Sequence, residues 1–164
     1  MLYLLDSSAV LNDFGFEFLP EHKYVTTQLA VAEFKDLRSR HLMENALQQN
    51  LLSIEEPGKE SQESINKEVS KKGFNKLSKT DLSILALALD LKKQNKEFIL
   101  ITDDFSIQNF AKILEIPFES AMRGEIGKTI AFSLSCSSCG KSLPAGSKEQ
   151  KCPVCGSSLK RKIN

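Results

Sequence analysis

The stretch FILITDDFSIQN, residues 98–109, joins an apolar run, two adjacent acids and the start of a helical pattern. Residues 98–102 are apolar or β-branched, which is typical of a buried strand. Asp103 and Asp104 follow at once, and helical periodicity begins after them. Two adjacent carboxylates repel each other, and a single acid is enough to cap a helix. The second acid therefore indicates a role beyond capping.

The same alternation of short apolar runs and helical segments extends outward from this stretch over residues 1–120. Strands are predicted at 2–6, 23–27, 51–57, 97–102 and 116–120, and helices after Ser7 and at 28–50 (as two helices), 59–73, 78–95 and 104–115. Strands that are apolar on both faces and alternate with helices predict an α/β fold with a parallel sheet covered by helices. In such sheets, functional groups gather beyond the carboxyl ends of the strands.

Three further acids are candidates for that edge of the sheet. Asp6 ends the first predicted strand, and Asp81 opens the helix at 78–95. Glu33 lies on the helix predicted after the second strand, where leucines at 29 and 37 would share its face. Each acid also has an ordinary structural explanation. Asp6 and Asp81 fit helix caps, the latter in a Ser-x-x-Asp capping box, and Glu33 fits a helix edge that reaches solvent.

Taken together with Asp103 and Asp104, these acids predict a metal site. The ends of the first and fourth strands can be neighbours at the switch point of a parallel sheet. Converging carboxylates without a matching Arg or Lys repel each other unless a cation lies between them, and Mg²⁺ and Mn²⁺ prefer carboxylate oxygens. A divalent metal held in this way can activate water for phosphodiester hydrolysis.

A second metal site is indicated by the four cysteines. They form two Cys-x-x-Cys pairs, Cys136 with Cys139 and Cys152 with Cys155, each followed by glycine and separated by twelve residues. Four thiolates in this spacing predict a closed, structural Zn²⁺ site, with an iron–sulfur cluster or disulfides as the alternatives. A segment of 29 residues is too short to build a core, so the metal must supply its folding energy.

The charge of the chain is divided unevenly. Residues 136–164 carry six Lys or Arg and one acid, whereas residues 1–135 carry 16 Lys or Arg and 20 acids. A basic tail on an acidic body is compatible with nucleic-acid binding and, equally, with simple solubility. The candidate phosphate contacts are Lys141, Lys148, Lys151, Lys160, Arg161 and Lys162.

The chain is predicted to divide at residues 121–135, which contain two glycines and change in character. We therefore expect a domain at 1–120, a linker at 121–135 and a zinc ribbon with a basic tail at 136–164. No apolar run approaches the roughly 20 residues that cross a bilayer, and the first residues do not resemble a signal peptide, so the expected location is cytoplasmic with no membrane partner.

The sequence resembles the PIN-domain ribonucleases. The resemblance rests on four segments: LLDSSAV at 4–10, AVAEF at 30–34, LSKTDLSILALAL at 77–89 and ILITDDFSIQN at 99–109. It implies a PIN-like parallel sheet whose acids hold Mg²⁺ or Mn²⁺ and cleave single-stranded RNA. It assigns Asp6, Glu33 and Asp81 to the metal site. In the common PIN pattern the fourth acid follows Thr-x, which is Asp104 here, with Asp103 at the x position.

A PIN domain followed by a four-cysteine ribbon is similar to the archaeal form of the Nob-type endonucleases. That resemblance implies cleavage of pre-rRNA that matures the 3′ end of small-subunit rRNA. It also implies the small-subunit precursor and a ribosome-assembly RNA-binding protein as partners. Three alternatives are kept beside it: a toxin or decay-type PIN nuclease, a non-catalytic RNA-binding assembly factor, and a phosphotransfer receiver domain. The last would need an Asp at the end of the third strand, where the chain has only glutamates.

Overall fold

The computed structural model describes residues 1–12, 16–72, 77–121, 132–144, 147 and 149–163. Its first sheet has five strands in the order β3-β2-β1-β4-β5, and every neighbouring pair is parallel. The strands are β1 (Leu2–Leu5), β2 (Lys23–Thr26), β3 (Leu52–Ile54), β4 (Phe98–Ile101) and β5 (Phe118–Glu119). The predicted parallel sheet is confirmed, and β1 and β4 are neighbours across its switch point.

Helices cover both faces of this sheet. They are α1 (Ser7–Leu11), α2 (Gln28–Val31), α3 (Leu37–Gln48), α4 (Lys59–Lys72), α5 (Lys79–Lys93) and α6 (Phe105–Ile113). Because successive strand residues point to opposite faces, Leu4 joins a core cluster with α4, α5 and α6, while Leu5 joins a second cluster with α1 and α3. The five central residues 84–88 of α5 are all buried, so the prediction of a core helix is confirmed.

The segment 28–50 forms two helices, as predicted, but the proposed apolar face around Glu33 is wrong. Helix α2 ends at Val31, and α3 begins only after Asp36, whose Oδ1 accepts a hydrogen bond from the Ser39 amide at 2.8 Å. Glu33 therefore lies in a turn between the helices. Leu29 and Leu37 are 43% and 73% exposed, so they do not form a buried stripe. The early cap of α3 interrupts the helical register.

A second, three-stranded antiparallel sheet contains the cysteines. Its strands are β6 (Phe132–Cys136), β7 (Ser142–Pro144) and β8 (Leu159–Ile163), in the order β7-β6-β8. Strand β6 thus begins four residues before Cys136, inside the segment 121–135 that we predict as a linker. Residues 122–131 lie outside the described part of the chain. The domain boundaries stay a prediction.

Among the described residues, no helix combines the length and the apolar character needed to cross a bilayer.

Asp90 on α5 fixes the start of α4. Its Oδ2 accepts a hydrogen bond from the Gly58 amide at 2.6 Å, and its Oδ1 accepts one from the Ser61 hydroxyl at 2.6 Å. Ser61 is fully buried. A Cβ at position 58 would lie 3.4 Å from Asp90 Oδ2, an ordinary van der Waals contact, so this hydrogen bond does not itself require glycine. One carboxylate on α5 therefore determines where α4 begins.

We expect Asp90→Ala to lower the free energy of unfolding by about 1–3 kcal/mol, because the buried Ser61 hydroxyl and the Gly58 amide both lose their acceptor. Urea denaturation measures this. The matched control is Glu63→Ala at an exposed position of α4, with an expected change within about 0.5 kcal/mol. Equal unfolding midpoints for the two variants would show that Asp90 does not have this role.

Candidate active site

The pairing of β1 with β4 brings the first candidate acid beside the last pair. Leu5 is in register with Ile101, and the Asp6 amide continues the ladder by donating to the Ile101 carbonyl at 3.0 Å. Asp6 therefore leaves the sheet next to Thr102, one residue before the paired acids. Strands β1 and β4 present their acids at the same carboxyl edge, as the sequence predicts.

Asp6 is buried and held by two hydroxyl groups. Its Oδ2 accepts hydrogen bonds from Ser8 Oγ at 2.5 Å and from Thr102 Oγ1 at 2.8 Å, and only 2% of the residue is exposed. Although α1 begins directly after Asp6, the side chain forms no capping hydrogen bond to that helix. The helix-cap explanation of this acid is therefore wrong.

The same two hydroxyls connect Asp6 to the paired acids. Ser8 Oγ accepts a hydrogen bond from the Asp103 amide at 2.9 Å, and Thr102 Oγ1 accepts one from the Asp104 amide at 3.1 Å. Each hydroxyl thus bridges a carboxylate on the β1 side and a backbone amide on the β4 side. Sequence reasoning missed both as site residues. Their only sequence signal is that hydroxyl residues flank the acids in DSS and TDD.

Asp103 and Asp104 are directed to different neighbours. Asp104 Oδ1 caps α6 by accepting hydrogen bonds from the amides of Ser106 at 2.6 Å and Ile107 at 3.3 Å. Asp103 accepts a hydrogen bond from the hydroxyl of Ser120, which follows β5. Asp104 therefore caps α6, whereas Asp103 contacts the residue that follows the edge strand β5.

Asp81 both caps α5 and faces the other acids. Its Oδ2 accepts a hydrogen bond from the Ser78 amide at 2.6 Å, and its own amide donates to Ser78 Oγ at 3.1 Å, which completes the predicted capping box. Burial raises the pKa of the Asp81 carboxyl, and the charges of Asp104 and Glu33 raise it further. Capping and membership of the acidic group are therefore not exclusive explanations.

The pKa of Asp6 is also raised, mainly by burial and additionally by the charge of Asp81, while the hydrogen bonds from Ser8 and Thr102 act in the opposite direction. Glu33 accepts a hydrogen bond from the Ser7 hydroxyl, which ties the turn after α2 to the start of α1. The acids of four separate chain segments thus act on one another electrostatically.

The spacing of these acids is wider than that of a closed metal shell. Within the described ranges, the cysteine cluster is the only group of three or more His, Cys, Asp or Glu whose ligand atoms all lie within 4.8 Å of one another. An arrangement of separated carboxylates fits a hydrated cation such as Mg²⁺, which keeps several of its waters when it binds.

The four cysteines converge as predicted. Cys136 Sγ lies 3.4 Å from Cys155 Sγ, and Cys139 Sγ lies 3.6 Å from Cys152 Sγ, with no disulfide among them. These separations are near the ~3.8 Å expected between thiolates arranged tetrahedrally at about 2.3 Å from Zn²⁺. The cluster therefore fits a zinc ribbon and argues against the disulfide alternative.

Backbone amides approach a thiol in both Cys-x-x-Cys turns, and in the second turn the amides of Cys155 and Val154 do so at Cys152. The amides of Ser138 and Cys139 approach Cys136 Sγ at 3.4 and 3.5 Å. The glycines that follow the two turns, Gly140 and Gly156, have φ values of +71° and +72°, a conformation that favours glycine. Hydrogen bonds from the hydroxyl and the amide of Ser157 lower the pKa of Cys155 to about 6. At Cys139 a hydrogen bond from the Lys141 amide lowers the pKa, but the neighbouring thiols of Cys152 and Cys136 outweigh it and raise the pKa to about 12.

The candidate phosphate-binding residues are distributed over this second sheet. Lys141, Lys151 and Lys160 are exposed, and Lys160 is paired with Ser135 on β6. Arg161 and Lys162 also lie on β8. Lys148 lies outside the described residues. Their contact with RNA stays a prediction.

Comparison with known proteins identifies the family. Residues 3–91 match the PIN domain of ribonuclease. The chain is 34% identical to Endoribonuclease Nob1 of Methanothermobacter thermautotrophicus, covering 99% of this chain and 93% of that protein. It is 35% identical to Endoribonuclease Nob1 of Pyrococcus abyssi, covering 96% and 91% of the two chains.

The chain belongs to the Nob1 family of PIN-domain endoribonucleases. Membership of the Nob1 family confirms the predicted PIN-like fold and the predicted enzyme class, a hydrolytic endoribonuclease. The PIN match spans Asp6, Glu33 and Asp81 but ends before the paired acids, so it does not distinguish Asp103 from Asp104.

This chain is also similar to a PIN nuclease with a different name. Ribonuclease VapC1 of Thermoplasma acidophilum is 30% identical, covering 98% of this chain and 78% of that protein. Both its identity and the covered share of its length are below those of the two Nob1 proteins above. The comparison therefore favours the Nob1 group among PIN nucleases.

The raised pKa of Asp6 gives a pH prediction for the protein without added Mg²⁺ or Mn²⁺. A carboxyl whose pKa is higher in the folded state binds its proton more tightly when folded, so its charge costs stability at neutral pH. That cost disappears as pH falls through the raised pKa toward the ordinary value of about 3.8. Asp6→Asn should therefore gain stability relative to the unsubstituted protein at neutral pH and lose that gain near pH 4.

Urea denaturation of both proteins at neutral pH and at about pH 4 measures the difference. The asparagine side chain of the variant keeps a carbonyl oxygen that can accept from Ser8 and Thr102, so the comparison isolates the charge. A stability difference that is independent of pH, or one that grows in acid, would contradict the electrostatic account.

Proposed function

We propose that this chain is a divalent-metal-dependent endoribonuclease that cleaves single-stranded pre-rRNA and matures the 3′ end of small-subunit rRNA. The observation that carries the proposal is the group of mutually repelling acids at the carboxyl edge of the sheet. A protein does not retain such repulsion for stability, because buried like charges cost free energy. In a chain of the Nob1 family, a cation that binds the substrate phosphate is the simplest compensation.

In this proposal Asp6, Asp81 and Asp104 hold Mg²⁺ or Mn²⁺, and Glu33 completes the acidic group. The bound metal supplies activation of water and neutralisation of the charge that develops on the phosphate. The chain itself orients the carboxylates: Ser8 and Thr102 hold Asp6, and the α6 amides hold Asp104. Asp104 is preferred to Asp103 because its charge is among those that raise the pKa of Asp81.

The second sheet is proposed to bind one structural Zn²⁺ and to position RNA through its lysines. The substrate is proposed to be pre-rRNA within the small-subunit precursor, with a ribosome-assembly RNA-binding protein as a further partner. A cytoplasmic location is part of this proposal. Because phosphate contacts release counterions, binding of RNA should weaken steeply as salt increases.

Cleavage of a short single-stranded RNA that spans the mature 3′ end of small-subunit rRNA tests the catalytic role. With Mn²⁺ or Mg²⁺, we expect cutting at one position, and Asp104→Asn should lower kcat by at least about 100-fold. The asparagine introduced there retains an oxygen that can accept from the Ser106 amide, so the helix cap survives. The matched control, Asp103→Asn, should lower kcat by less than about tenfold.

Two results would contradict this assignment. If the two neighbouring asparagine variants exchange their effects, Asp103 is the metal-site acid. If the unsubstituted protein binds the RNA but cuts it with neither metal, the chain is the non-catalytic assembly factor that we set beside the nuclease.

Metal analysis tests the proposed zinc site. We expect about one zinc per chain, lost in the double variant Cys139→Ser and Cys155→Ser, which removes the two exposed thiols. Loss of the metal should collapse the amide NMR dispersion of residues 132–163, because the buried apolar residues described in that segment are the ligands Cys136 and Cys152 themselves. Ser138→Ala, inside the first Cys-x-x-Cys turn, is the control that should keep its zinc. Full zinc occupancy in the double variant would show that these thiols are not ligands.

A further inference from the structure

A cleft is lined by residues of α2, α4 and the start of α5, and α5 also carries Asp81. It has a volume of about 400 Å³, within the ~300–1,000 Å³ range of small-molecule sites. Its walls come from α2, α4, the start of α5 and the turn after β3. The residues that carry the argument are Leu29, Glu56, Gln62, Asn66, Lys79 and Leu82.

The cleft and the acidic group share two structural elements. Leu29 lies on α2, four residues before Glu33, and Lys79 opens α5, two residues before Asp81. The two helices are joined by a 2.8 Å hydrogen bond between the hydroxyls of Thr27, which caps α2, and Ser83. The acidic group and the cleft are therefore connected through the same pair of helices.

The polar lining suits the edge of a nucleobase. Gln62 and Asn66 are exposed and stand one turn apart on α4, and each amide offers both donors and an acceptor. Gln62 Nε2 donates to the Pro57 carbonyl at 2.7 Å, which fixes the orientation of its amide. Side-chain amides such as those of Gln62 and Asn66 read base edges by hydrogen bonding in protein–nucleic acid complexes.

The apolar and charged residues of the cleft distinguish a base from a phosphate. Leu29 is 43% exposed and Leu82 is half-buried, so both offer apolar surface to a ring. Glu56, whose Oε1 accepts from the Gln28 amide at 3.1 Å, repels a phosphate but accepts hydrogen bonds from the amino group of a base. Lys79 is exposed at the wall of the cleft, where its charge would favour a phosphate of the bound strand.

We propose that this cleft, between α2, α4 and the start of α5, binds one nucleobase of the RNA next to the phosphodiester that is cut, and that Gln62 and Asn66 select its identity. The inference rests on the proposed function, because the position of the cut phosphate follows from the acidic group. Its consequence is base preference at a single position beside the cleavage site.

The test compares equilibrium binding and cleavage for a panel of short single-stranded RNAs that differ at one position beside the cut. Fluorescence anisotropy without added Mg²⁺ or Mn²⁺ gives Kd, and kcat/KM with Mn²⁺ follows on the same panel. For the full chain, we expect Kd and kcat/KM to differ by about tenfold or more between the best and the worst base at one position. In the double variant Gln62→Ala with Asn66→Ala, the ratio between best and worst base should fall to within about twofold, with the Mn²⁺ dependence of cleavage unchanged.

Alanine is compatible with both exposed helix positions, so the double variant should remain folded. The matched control is Asn45→Ala with Gln48→Ala, which removes two exposed amides from α3 and should leave the ratio unchanged. The inference is overturned if the full chain shows no base preference at any position, if the α4 variant keeps the preference, or if the α3 control loses it.

The failures of the two proposals differ. Base-selective binding that depends on Gln62 and Asn66, without cleavage, contradicts the nuclease and supports the subsite. Cleavage that is indifferent to the neighbouring base supports the nuclease and overturns the subsite.

Discussion

The parallel pairing of β1 with β4 is the constraint on which the rest of the site depends. Register between Leu5 and Ile101 sets Asp6 beside Thr102, and the Asp6 amide extends the ladder by one more hydrogen bond. Two hydroxyls then join the carboxylate of one strand end to the amides that follow the other. A slip of one residue between these strands would turn Asp6 to the other face of the sheet, and its hydrogen bonds with Ser8 and Thr102 would be lost.

Each acid of the group is oriented by a separate hydrogen bond. Asp6 is held by hydroxyls, Asp81 by the Ser78 amide, Asp104 by the first turn of α6, and Glu33 by Ser7. Burial and the charges of neighbouring acids raise the pKa of both Asp6 and Asp81, so these carboxylates repel each other. The hydrogen bonds hold them in place against that repulsion. The group is therefore organised before any cation binds, which lowers the cost of binding one.

Local patterns predicted the parts of this structure that local physics determines. Apolar runs alternating with helices indicated the parallel sheet, the Ser78–Asp81 box indicated the start of α5, and the cysteine spacing indicated the thiol cluster.

The prediction that Glu33 shares a helix face with Leu29 and Leu37 failed because Asp36 caps a new helix between them. This cap is a local signal, but the regular spacing of the two leucines suggested one continuous helix. The sequence predicts that β1 and β4 end at the same edge, but not the individual side-chain contacts made there. Ser8 and Thr102 are 94 residues apart, and nothing in either segment encodes that their hydroxyls meet on one carboxylate. Strand alternation cannot distinguish Asp103 from Asp104, because the chain turns between them. In the structure their neighbours differ: Ser120 contacts the first, and the charge of the second acts on Asp81.

The central claim is that the acids at the carboxyl edge of β1 and β4 bind a divalent cation. Addition of Mn²⁺ to isotopically labelled protein, followed by paramagnetic broadening of amide NMR signals, measures this directly. The account predicts that broadening begins at Asp6, Glu33, Asp81 and Asp104 and spreads outward from them. Broadening that begins elsewhere, or that leaves the amides of these four residues sharp while Mn²⁺ binds, would contradict it.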